Sequence, residues 1–173
     1  MRYYAGIGSR QTPTEILKLF TKIGIYLAQK DYILRSGHAD GADLAFEQGC
    51  DIVNGQKEIY LPWENFNNST SNLVVVDLKA FEIAKQFHPY WHNLKQGARK
   101  LQARNSHQVL GKDLNTNSDF VICWTKNGEL KGGTSQALRI AMYYNIPIFN
   151  FGLYTDNLEL GKEEFRKFIK QFI

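Results

Sequence analysis

The sequence has little cysteine and no pattern in what it has. Cys50 and Cys123 are the only two in 173 residues, so neither a disulfide framework nor a metal-type Cys spacing can be written. Cys50 falls in an expected helix and Cys123 in an expected apolar strand, which reads as two small buried thiols in a reducing compartment. No apolar run reaches bilayer-spanning length, and the opening Met1-Arg2-Tyr3-Tyr4-Ala5-Gly6 has no apolar signal-peptide stretch. A cytoplasmic protein with no membrane partner is expected (host cytoplasm, if the source is viral). Repeats, low-complexity tracts and linkers are missing too, which points to one domain over residues 1–173. Charge of one sign is not concentrated either. The net charge of +4 fits an anionic ligand and fits a lysine-rich surface equally well. Outside the last helix no dense Lys/Arg run is interleaved with aromatics, so a nucleic-acid partner is not expected.

What is present is alternation. Hydrophobic residues at 43% and charged residues at 22% match a globular chain and exclude a disordered one. Apolar runs at 3–7, 32–34, 58–61, 120–124 and 146–151 read as strands. Helical spacing recurs at 12–27, 41–53, 79–87, 94–110, 133–145 and 162–172. Thr12-Pro13-Thr14-Glu15 reads as a helix start, with Thr12 as cap and Glu15 closing a capping box. The Asn-rich stretch 63–72 reads as an excursion loop. Strand–helix alternation implies an α/β fold, a Rossmann-like three-layer sandwich with a mostly parallel central sheet between helices. In such folds ligands collect beyond the carboxyl ends of the strands, where strand order reverses.

Three segments join a strand end, small residues and a following helix. In Gly6-Ile7-Gly8-Ser9-Arg10, the glycines permit close backbone approach, Ser9 offers a hydroxyl and Arg10 a planar fork suited to phosphate. In Ser36-Gly37-His38-Ala39-Asp40-Gly41-Ala42-Asp43, a small-residue turn opens a helix. Ala42, Ala45, Phe46 and Gly49 form that helix's packing face, while Asp43, Glu47 and Cys50 share another stripe. Asp43 suits the helix dipole in any case, and Glu47 suits a solvated face as well as a site. In Lys131-Gly132-Gly133-Thr134-Ser135-Gln136, the amides of the glycine turn and the hydroxyls of Thr134 and Ser135 form a natural oxyanion nest, or else an ordinary capped loop. A fourth feature is Arg104-Asn105: Leu94, Ala98, Leu101, Asn105 and Gln108 follow one stripe, so Asn105 lies on or beside an apolar face. Arg104 and Asn105 either brace a neighbouring loop or reach the crevice. His88 and His92 stand at metal-ligand spacing but with Pro89 between them and no third ligand, so no metal is expected, nor any cofactor.

Together, Gly6-Ile7-Gly8-Ser9-Arg10, Ser36-Gly37 with Gly41-Ala42-Asp43, Arg104-Asn105 and Gly132-Gly133-Thr134 resemble the SLOG superfamily, and most closely its small stand-alone phage members. That superfamily includes the Lonely Guy phosphoribohydrolases and DNA-processing protein A. The resemblance implies a nucleotide crevice at Gly8, Ser9, Arg10, Ser36, Gly37, Asp43, Gly132, Gly133 and Thr134, with Ser135 adjoining and Arg104 and Asn105 in support. It also implies a homo-oligomer. Lonely Guy enzymes carry Pro-Gly-Gly-x-Gly-Thr followed by a catalytic Glu; here Lys131 replaces the Pro, and Gln136 and Arg139 occupy the region of that Glu. The leading expectation is therefore capture of a nucleotide or nucleotide-derived signal without chemistry, in the manner of a viral immune-evasion sponge for cyclic or ADP-ribose-type signals. The alternatives are an N-glycosidase acting on nucleoside monophosphates, with Asp43 or Glu47 as the substitute carboxylate, and single-stranded nucleic acid binding.

Overall fold

A computed structural model describes residues 1–173. Six short strands build one sheet: β1 (Arg2–Gly6), β2 (Tyr32–Ser36), β3 (Lys57–Leu61), β4 (Leu73–Val74), β5 (Phe120–Cys123) and β6 (Ile148–Asn150). Every pairing is parallel, in the order β4-β3-β2-β1-β5-β6. Parallel neighbours need crossovers, and six helices supply most of the cover: α1 (Thr14–Gln29), α2 (Ala42–Ile52), α3 (Leu78–Phe87), α4 (Gln96–Leu110), α5 (Thr134–Tyr143) and α6 (Leu158–Ile169).

Side chains alternate across the strands and so feed two separate cores. Tyr4, Leu34, Phe120 and Ile122 join residues of α1, α2 and α6 on one face. Ala5, Val121 and Cys123 join residues of α3, α4 and α5 on the other. The first core is aromatic, with Phe20 and Phe46 stacked at 4.2 Å between centroids and Phe165 packed into the same group. The second is lined largely by alanine, including Ala80, Ala84, Ala103, Ala137 and Ala141, which lets three helices lie close to the sheet. Both faces are covered, and the three layers match the expected sandwich. The chain contains no helix long and apolar enough to cross a membrane.

Several local details differ from expectation. Thr12 does not cap α1. Its hydroxyl donates to the Ser9 carbonyl at 2.6 Å, closing the turn after β1, and Pro13 is the capping residue, its carbonyl receiving the amides of Ile16 and Leu17. β4 escapes a reading by alternation because two residues show none. The last helix starts four residues early, at Leu158, because the Asn157 side chain accepts the Leu160 amide at 3.1 Å and caps it. β2 runs past Leu34 to Ser36, which places Arg35 inside the protein. There its guanidinium meets Glu58 at 3.0 Å and lies 3.8 Å over the Tyr3 ring, so a buried charge is paired and covered.

The strand order defines one reversal. From β1 the chain steps outward through β2, β3 and β4, then returns to the opposite side of β1 with β5. The connections after β1 and β5 therefore diverge to opposite sides, leaving a crevice at their carboxyl ends.

Candidate functional site

The crevice is shaped by backbone before side chains enter it. The β1–β5 ladder continues past the strands: Ile7 donates to Ile122 O and Ser9 to Trp124 O, both at 3.1 Å, so the Ser9-Arg10 turn is fixed to the end of β5. Gly41 lies on that turn with φ +90°, where a Cβ would stand 2.7 Å from the Ser9 carbonyl oxygen. Only glycine meets both the dihedral and the distance, and it brings the start of α2 against the β1 turn. Across the crevice Gly132 has φ +78°, and no atom lies within 4 Å of where a Cβ on Gly132 or Gly133 would stand. This turn opens α5 and leaves its backbone bare.

The enclosed space is about 470 Å³, within the usual range for small-molecule sites. Gly8, Ser9 and Arg10 line one side, and Gly132, Gly133 and Thr134 line another. Asp43 from α2 and Arg104 and Asn105 from α4 complete the lining predicted from sequence. Four segments distant in the chain thus meet at one cavity. Ser36, Gly37 and Ser135 lie beside it. The Ser36 hydroxyl, fully buried, donates to Gly6 O at 2.6 Å and ties β2 to β1. Gly37 leaves room for Arg104, whose Nη1 would collide with any Cβ there. Ser135 donates to Gly132 O at 2.5 Å and so holds the shape of the turn.

Arg104 and Asn105 both brace and line. Arg104 Nη1 donates to the carbonyls of Gly37 at 2.6 Å and Tyr60 at 3.1 Å, and Nε donates to Asn105 Oδ1 at 3.0 Å. Asn105 Nδ2 in turn donates to Gly133 O at 3.1 Å. A relay therefore runs from the end of β2 through α4 to the glycine turn. Burial draws the Arg104 pKa down to about 10, with Asp43 opposing and Arg10 reinforcing that shift.

Asp43 is the carboxylate of the cavity. It accepts the Ala39 amide at 3.3 Å and makes no ion pair. Burial pushes its pKa up to about 6, while Arg104 and the amides of Ala39, Gly8 and Gly37 hold it down. Glu47, one turn on, is turned away from this cavity. Its carboxylate meets Lys57 Nζ at 2.8 Å and His38 Nδ1 at 2.6 Å and borders a separate groove with Ser69 and Asn72. The reason is the length of the buried arc: α2 hides Ala42, Asp43, Ala45, Phe46, Glu47, Gly49 and Cys50, so the two carboxylates occupy different margins of a broad contact.

On α5, Gln136 and Arg139 are committed to structure. Gln136 Nε2 donates to Ala84 O at 3.0 Å, and Arg139 Nε donates to Phe87 O at 2.9 Å, lashing α5 to α3. Trp124 is buried in the aromatic core and does not reach the cavity. His88 Nδ1 accepts the Tyr90 amide at 3.1 Å, and no three His, Cys, Asp or Glu side chains gather anywhere as a metal-binding cluster.

Sequence reasoning missed two lining residues of consequence, Gln102 and Gln108. A signal existed for the second, since Gln108 follows Asn105 on the largely apolar stripe of α4 and is buried there.

No family model matches the chain, and no curated protein matches its sequence. Its folded shape does have counterparts. DNA processing protein A from Helicobacter pylori, described for its single-stranded DNA binding mode, superposes with a TM-score of 0.55 at 18% identity over 86% of this chain. The match takes in 64% of that protein, so this chain spans less than two thirds of its length. The Moco carrier protein of Chlamydomonas rheinhardtii superposes with a TM-score of 0.53 at 14% identity, over 87% of this chain and 76% of that one. The fold is Rossmann-like. At these identities the likeness is one of architecture, and the chemistry of the crevice has to be argued from its own residues.

Proposed function

We propose that this chain is a SLOG-type protein that captures a phosphate-bearing nucleotide, or a nucleotide derivative, in the crevice between β1 and β5. The observation that carries this reading is the bare Gly132-Gly133 turn at the head of α5, lining the same cavity as Arg10. Main-chain amides at a helix start attract an anion, and a guanidinium grips phosphate with two parallel donors. Lys131 lines the same cavity, paired at 2.9 Å with Glu129, and Asp43 is the only carboxylate among the lining residues. Gln136 and Arg139 of α5 are tied to α3 and offer no acid or base, which favours capture over turnover. Sequestration of a signalling nucleotide, as in viral immune evasion, needs only such retention.

The test is native mass spectrometry of the purified protein, with identification of any released molecule, followed by titration with AMP and ADP-ribose. Intact ligand recovered after denaturation supports capture, and an Arg10→Ala variant should lose most of the affinity. Steady release of free base overturns it in favour of a hydrolase. That second reading has one observation behind it: Asp43, raised to about 6 inside the cavity, exchanges a proton closer to neutral pH than an ordinary carboxyl does and could pass one to a departing base. Loss of base release in Asp43→Asn would establish it. Retention of single-stranded DNA, weakening steeply with salt, would instead point to a nucleic-acid binder.

A further inference from the structure

Resting on the nucleotide-capture reading, we propose that Gln108, supported by Gln102, recognises the neutral hydrogen-bonding part of the ligand, its base or an equivalent carboxamide. Arg10 and the Gly132-Gly133 turn hold the anionic part. α4 lines the cavity with Leu101, Gln102, Arg104, Asn105 and Gln108. The other buried polar side chains of this stretch are accounted for. Arg104 and Asn105 form the relay described above, Ser106 donates to Ala80 O at 3.3 Å, and His107 Nδ1 lies 3.0 Å from Gly111 O.

Gln108 stands apart. Its side chain is 2% exposed and its Nε2 has no hydrogen-bond partner. Gln102 Oε1 is orphaned in the same way, six positions earlier and about 9 Å back along the helix axis. A buried amide donor or acceptor left unpaired costs free energy, and one of each lines this cavity, whereas the other unpaired buried atoms, Tyr4 Oη and Arg99 Nε, belong to residues outside it. The space for Gln108 is kept deliberately: a Cβ on Gly37 would collide with Gln108 Nε2. The chemistry of the group also fixes what it can read. A carboxamide is uncharged, and its adjacent donor and acceptor match a donor–acceptor edge such as that of a purine. It has little to offer a phosphate beyond what the cations and the bare turn already supply.

Isothermal titration of the wild-type protein, Gln108→Met and Gln102→Met with AMP, ADP-ribose and ribose 5-phosphate tests this. Methionine keeps the volume and removes the amide. Gln108→Met should weaken AMP and ADP-ribose binding by about tenfold or more while leaving ribose 5-phosphate within about twofold. Gln102→Met should do the same to a smaller degree. The ligand-free melting temperature of Gln108→Met should equal or exceed that of the wild type, because an unpaired buried donor has been removed. Equal weakening of all three ligands, no weakening of any, or a fall in melting temperature overturns the proposal and leaves nucleotide capture standing. If the wild-type protein binds none of the three, the capture reading itself falls and takes this one with it.

Discussion

Asp43 and Glu47 lie one turn apart on α2, both buried, and they have opposite circumstances. Glu47 is ion-paired with Lys57, lies 2.6 Å from His38 Nδ1, and borders a groove away from the crevice. Asp43 has no ion pair, feels the charge of Arg104 from the same cavity lining, and carries a raised pKa. A carboxylate satisfied by its own chain is a structural group. One held buried and unpaired is a cost carried by the folded state, and such costs collect where a ligand is to be met. Residue type and spacing alone make the two look alike. The surroundings separate them.

The sharpest way to break this comparison is to remove what faces Asp43. Arg104→Ala should cost about 3–5 kcal/mol of stability in urea denaturation, since it leaves two buried carbonyls without their donor and removes the nearby positive charge that holds the Asp43 pKa down. Arg104→Lys should recover little of it, because one ammonium cannot replace the fork. The next effect is in pH. Asp43 titrates near 6 in the folded protein and near 4 in the unfolded chain. Between these values the folded state holds the extra proton, so stability falls as pH rises, leaving a cost of about 3 kcal/mol at neutral pH. Asp43→Asn should abolish that part of the slope and be the more stable protein at pH 7, as read from denaturation curves of both proteins at pH 4 to 7. A wild-type slope equal to that of the variant would place Asp43 in solvent instead.

Glu47→Gln should show the opposite sign, losing about 1–2 kcal/mol through the weakened link to Lys57. Its affinity for AMP should stay within about twofold of the wild type, as for a site with no shared partners. An affinity loss as large as that of Arg10→Ala would join the two carboxylates in one function. The smallest effect on folding is expected at Gly132→Ala, about 1 kcal/mol, from the left-handed backbone alone, since a methyl group there meets open space. Its loss of anion affinity should exceed its loss of stability.

Much of this was legible in the sequence. Helical and apolar periodicity gave five of the six strands and all the helices, because long buried faces leave long patterns. The crevice was legible through its glycines: Gly8, Gly41 and Gly132 sit where backbone must approach backbone or turn left, and only one residue type does that. Arg104 and Asn105 stood out as polar groups on a buried stripe. The difference between Asp43 and Glu47 was not legible, because it depends on Lys57 from β3 and on which margin of α2 faces which loop. β4 left no trace because its two residues are too few to alternate. The displacement of Thr12 from its capping role was hidden because a hydroxyl serves a turn or a helix start equally well.

The lashing of α5 to α3 through Gln136 and Arg139 has a kinetic consequence. The glycine turn proposed to meet the anion is mounted on an anchored helix and propped from behind by Asn105. A visitor to the crevice meets a turn already braced in place. Entry should then run at the pace of diffusion, quickened by Arg10 in the lining, and how long the visitor stays should be decided almost wholly by its rate of escape.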